Sequence, residues 1–239
     1  MKIILFSPIH IRDKANAEER TPQLIDWRAR SRAAFDEPPQ MFLADSAMPN
    51  NLLPVDCPMI FANVPDTKPY DPNYWTYASV AADVAFSHVM QQEFDLCVIN
   101  AADAILGVSI HDIADEFMKR PEVICGPGWF GNPDTHILLL KREAVIDILY
   151  STPFTPLCKV GRNGVGWEEW LTIVFCNRWW NPWPEIQTVR QSWYHPPVGT
   201  DIESEIMKWP ILCDTNPVMA ERYRIAHPLT NATNRKEVQ

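Results

Sequence analysis

Four apolar runs constrain this chain most: residues 2–11, 40–44, 59–64 and 94–99, rich in β-branched and aromatic side chains. The first and last are largely apolar instead of alternating with polar residues, the pattern of strands buried on both faces of a helix-covered, parallel sheet. Helical segments lie between them. One is expected to start with Thr21 as N-cap and Pro22 just inside, and to run through Ile25, Trp27, Arg28 and Ala33 toward Pro38. A second begins at Asn73 or Tyr74 and continues to Gln92, with Val80, Val84, Ala85 and Val89 at helical spacing. Strand, helix, strand, strand, helix, strand predicts an α/β domain with a mostly parallel central sheet flanked by helices. Ligands of such sheets bind beyond the carboxyl ends of the strands.

The second half is less regular. A short helix is expected over 110–119, a strand over 122–125, a glycine and proline loop over 126–133, a strand over 136–140 and a helix over 143–149. A glycine-rich loop, 161–166, leads into a helix from 167 to about 179. With 239 residues the economical organisation is one domain, 1–239. Within it, about 1–106 and about 107–200 are expected to form two halves, with about 201–239 a C-terminal extension.

The net charge of −9 and the lack of a basic cluster argue against sequence-independent nucleic-acid binding, which works by counterion release from a basic surface. A local anionic ligand stays compatible with that charge. No apolar run is long enough to span a bilayer, and the first residues lack the core of a signal peptide. Cys57, Cys97, Cys125, Cys158, Cys176 and Cys213 are scattered without a Cys-x-x-Cys pair, which predicts neither a zinc ribbon nor a disulfide framework. A soluble protein of the reducing cytoplasm is the expectation.

Three places have residues suited to chemistry. The run 94–99 breaks into Asn100-Ala101-Ala102-Asp103, which puts Asp103 at the edge where a hard cation or a ribose is held, although Asp is also a common turn residue. Gly166-Trp167-Glu168-Glu169-Trp170 brings two carboxylates between indoles at a helix start, where acidic residues also favour the macrodipole. His195, in Trp193-Tyr194-His195-Pro196-Pro197, gains weight only from the other two.

Taken in order, these features resemble the GT-A glycosyltransferases, the nucleotide-diphospho-sugar transferase superfamily, from Lys2 to about His195. Residues 94–103 look like the strand leading to that family's Asp-x-Asp motif. Asp134-Thr135-His136-Ile137-Leu138-Leu139-Leu140-Lys141-Arg142 is similar to the strand that follows it, and Gly166-Trp167-Glu168-Glu169 to its late acidic element. One departure is clear: Ala101 stands where the first Asp of Asp-x-Asp belongs. Metal binding is then weaker and donor-dependent, or the enzyme is metal-free, or the chain is inactive.

The resemblance implies transfer of a sugar, a hexose or related unit, from a nucleotide diphosphate sugar to a hydroxyl acceptor. Ser7, Pro8, Ile9, Asp45 and Asp103 would bind the donor. Asp103 and His195 would hold Mn2+ or Mg2+. Glu169 or Glu168 would be the catalytic base of an inverting reaction, and Trp129, Trp167 and Trp170 the acceptor wall. Two alternatives stay open. A sugar nucleotidyltransferase needs a phosphate-cradling glycine loop after the first strand, which Ser7-Pro8-Ile9-His10-Ile11-Arg12 lacks. A non-catalytic nucleotide- or carbohydrate-binding module is compatible with Ala101.

Overall fold

The computed structural model describes residues 1–47, 52–53, 55–63, 74–107, 110–126, 128–129, 132–133, 136–151, 171–172, 174–175, 177–180, 201, 204 and 211–213. Strand β1 (Ile3–Ile9) passes into helix α1 (Lys14–Ala33), followed by β2 (Gln40–Asp45), β3 (Met59–Phe61), helix α2 (Tyr74–Val89) and β4 (Leu96–Asn100). A short strand β5 (Ala104–Leu106), helix α3 (Ile110–Met118) and β6 (Ile124–Cys125) come next. The two-residue strands β7 (Gly128–Trp129) and β8 (Asn132–Pro133) form a hairpin inside the segment expected to be a loop. β9 (Ile137–Lys141), α4 (Arg142–Ser151), β10 (Trp179–Trp180) and β11 (Ile211–Cys213) complete the described elements.

Seven strands form one mixed sheet in the order β10-β6-β9-β4-β1-β2-β3. β1 pairs in parallel with β2 and β4, and β2 with β3, whereas β9 runs antiparallel to both β4 and β6. The expected α/β class and mostly parallel sheet are therefore present. β11, from the segment expected to be an extension, pairs antiparallel with β5 in a second, two-stranded sheet.

Period-two alternation divides the core into two layers. Ile3, Leu5, Leu43, Leu96, Val98 and Leu139 face one side, packing with Leu24 and Trp27 of α1 and Ile110, Ala114 and Phe117 of α3. Ile4, Phe6, Phe42, Cys97, Ile99 and Leu140 face the other, against Ala82, Ala85 and Phe86 of α2 and Ala144, Val145 and Ile148 of α4. Phe6 stacks on Phe42 at 5.3 Å and meets Phe86 edge-on at 5.7 Å. Each such ring, fully buried, stabilises the fold by about 1.5–3 kcal/mol relative to leaving it exposed.

Several boundaries differ from expectation, each for a local reason. α1 starts at Lys14, not at Thr21: Asp13 is the N-cap, its carboxylate accepting from the Asn16 amide at 2.8 Å. Thr21 is interior, its hydroxyl donating to the Ala17 carbonyl at 2.7 Å, and Pro22 is an exposed interior residue. The polar first turns of α1 carry no apolar stripe, so periodicity could not register them. Trp179 belongs to the edge strand β10, not to the end of a helix, because β6 offers it a parallel partner. β5 is too short to stand out in the sequence and exists by pairing with β11.

Candidate functional site at the carboxyl edge of the sheet

β1, β2, β3 and β4 all end on one edge of the sheet, because they run parallel. Alternation places Ser7 on the side of Ile3 and Leu5, Asp45 on that of Leu43, and Asn100 on that of Leu96 and Val98. Three polar residues, all fully buried, thus lie on the α1 side where three neighbouring strands finish. Burying such groups is costly unless they are bonded, so their positions are specific.

Asp45, the last residue of β2, accepts from two backbone amides through Oδ1: Ile11 at 3.2 Å and Ala47 at 2.9 Å. It thereby ties the chain leaving β1 to the chain leaving β2. Burial raises the pKa of its carboxyl above the ordinary carboxylate value, and the Ala47 and Ile11 amides oppose that shift. Oδ2 of Asp45 and the Ser7 hydroxyl are buried without a hydrogen-bond partner among the described residues. Pro8 lies beyond the last β1–β4 pair, Phe6 with Ile99, where pairing on that side has ended.

His10 follows β1 and is half-buried, with Nδ1 2.8 Å from the Ser46 hydroxyl oxygen. The Ser46 amide donates to the Ile9 carbonyl at 3.1 Å, so His10 and Ser46 are held in register beside Asp45. No sequence motif marks His10; only the parallel register brings it to Ser46.

Asp103 sits in the tight turn that joins β4 to β5. The Ala104 amide donates to the Ala101 carbonyl at 2.9 Å, closing the turn, and the Ala101 amide donates to the His136 carbonyl at 2.8 Å. Ala101, Ala102 and Asp103 are each half-buried. Asp103 thus lies three residues past Asn100, the last residue of β4.

Other expected site residues are not brought into this description. Trp129 lies in β7, and nothing is described of its side chain. Trp167, Glu168, Glu169, Trp170 and His195 lie outside the described residues. Among the described residues, no group of three or more His, Cys, Asp or Glu side chains is arranged to hold a metal ion. Asp103 by itself does not make a cation site, and its expected partner, His195, is among the residues not described. No helix among the described residues is long and apolar enough to cross a membrane.

No protein-family model and no curated protein sequence matches the chain. Solved structures do. The galactosyltransferase LgtC, crystallised with donor and acceptor sugar analogs, superposes with a TM-score of 0.51 at 12% identity, covering 96% of this chain and 95% of LgtC. An active-site mutant of LgtC gives the same TM-score of 0.51, at 11% identity and 95% coverage of each chain. The fold is that of the GT-A glycosyltransferases. The glycosyltransferase GlyE of Streptococcus pneumoniae TIGR4 is also similar, with a TM-score of 0.48 at 11% identity over 90% of this chain. The chain spans about half of GlyE, 55% of its length. In a GT-A sheet the described edge, with Asp45, His10 and Asp103, is the edge beyond which ligands bind in open α/β folds generally.

Proposed function

We propose that the chain is a glycosyltransferase that moves a sugar from a nucleotide diphosphate sugar to a hydroxyl acceptor. The observation that carries this is the turn at Ala101–Asp103: a half-buried carboxylate held at the carboxyl edge of a GT-A sheet, beside the polar ends of β1 and β2. Pro8, Ile9 and His10, half-buried at the end of β1, are the residues that would line the donor. Ser7 and Asp45 are closed from solvent, so they would shape the floor of the site from beneath.

Asp103 and His195 are the groups that would hold Mn2+ or Mg2+. A divalent cation, when bound, supplies charge neutralisation for a departing diphosphate. With Ala101 in place of a second carboxylate, that cation has one oxygen ligand fewer, and its binding leans on the donor's own phosphates. Glu169 would deprotonate the acceptor hydroxyl, with Glu168 projecting about 100° away if both lie on a helix. Trp129, Trp167 and Trp170 would form the acceptor wall.

A thermal-shift panel of uridine and guanosine diphosphates and their sugars, with manganese and with chelator, tests the donor site. Ligand at a hundredfold its dissociation constant adds about 2.7 kcal/mol of stability. Asp103→Ala should remove any difference between manganese and chelator. Stabilisation by none of these ligands would sink the donor reading. Nucleotide release that does not rise on adding a panel of hydroxyl acceptors would instead favour a non-catalytic binding module.

A further inference from the structure

The peptide joining Asn100 to Ala101 is gripped from both sides. Its carbonyl accepts from the Trp27 indole nitrogen at 3.2 Å, and its amide donates to the His136 carbonyl at 2.8 Å. The Asn100 side-chain amide donates to the Ser31 hydroxyl at 3.0 Å. Trp27 and Ser31 lie one turn apart on α1 and are almost fully buried. The next peptides form the turn with Asp103, closed by Ala104 onto Ala101 and continued into β5, which β11 pairs.

This arrangement is more polar than packing requires. A phenylalanine fills most of the space of an indole without donating a hydrogen bond, and a leucine in place of Asn100 would leave no amide to satisfy. Asn100 Oδ1 itself has no hydrogen-bond partner among the described residues, so the asparagine carries a cost as well as a bond. Buried polar side chains that apolar ones could replace can serve to specify one geometry.

We propose that Trp27 and Ser31 are positioning residues for Asp103: α1 clamps the Asn100–Ala101 peptide and so fixes the turn that presents the carboxylate. The consequence for ligand binding rests on the donor site proposed above; the clamp itself does not. The clamp predicts that loss of either α1 donor or acceptor loosens a turn it does not touch directly.

The test is amide hydrogen exchange by NMR on the full chain, read at Ala101 and Ala104, in Trp27→Phe, Ser31→Ala and Ser31→Thr. Ile148→Val, in the opposite core layer, serves as the control for general destabilisation. Exchange at Ala104 should rise about tenfold in Trp27→Phe and Ser31→Ala, the factor of one net hydrogen bond, with Ser31→Thr near the parent rate. Calorimetry with manganese and uridine or guanosine diphosphate should show affinity weakened by a similar factor in the same two variants. Unchanged exchange at Ala104 in both, or equal acceleration in Ile148→Val, would overturn the clamp. If the parent binds neither nucleotide, the donor site falls, and the exchange rates still decide whether α1 holds the turn.

Discussion

Replacing Asp45 by alanine removes the acceptor shared by the Ile11 and Ala47 amides, 3.2 and 2.9 Å from Oδ1, in a fully buried position. Each buried group left without a partner costs about 1–3 kcal/mol, so two amides predict a loss of about 2–6 kcal/mol. Asp45→Asn keeps a carbonyl oxygen for both amides and removes a buried charge, so it should cost within about 1 kcal/mol of nothing at neutral pH. The two variants therefore separate the hydrogen bonds from the charge. Burial raises the carboxyl above its ordinary value of 3.8, so the folded chain binds this proton more readily than the unfolded chain. Its favourable contribution is complete below that value and is lost as pH rises through the folded one. Stability of the parent relative to Asp45→Asn should accordingly fall as pH rises from about 4. Urea unfolding followed by tryptophan fluorescence, with Trp27 buried as a reporter, measures both effects. A loss below about 1 kcal/mol for Asp45→Ala would refute the two-amide argument. A gap that shifts in the parent's favour as pH rises would refute the sign of the titration.

Three further outcomes are expected. Glu169→Gln should lower turnover by roughly a hundredfold or more with nearly unchanged donor affinity, and Glu168→Gln should be mild; steady-state kinetics that leave both variants at full rate would reject the base assignment. Asp13→Ala removes the N-cap of α1 and should cost about 1 kcal/mol in urea unfolding, with Asp13→Ser close to the parent. Burial pushes the Cys97 and Cys125 thiols upward, so a thiol reagent should label them only in denaturant, and rapid labelling of the native chain would contradict their burial.

The class of fold was legible because it depends on local pattern. Continuous apolar runs at 40–44 and 94–99 can be satisfied only between helix-covered faces, and they became β2 and β4 within about two residues at each end. The place of Asp103 was legible for the same reason: the break Asn100-Ala101-Ala102-Asp103 follows an apolar run and so stands past a strand end. What the pattern could not carry was partnership across the chain. β5 exists because β11 pairs with it, and the two are far apart in sequence. Asn100 reads as the break after a strand, yet it ends β4 because it pairs with Ile137 of β9, and Ser31 and Trp27, on a helix some seventy residues earlier, accept from and donate to it. α1 likewise begins seven residues before Thr21, since a cap is a hydrogen bond and leaves no periodic trace. The sequence alone determined the α/β layers and the edge where the parallel strands end, because burial follows from the composition of each segment. Only the tertiary structure decided which side chains meet there, because hydrogen-bond partners are chosen by register and helix placement, and neither is local.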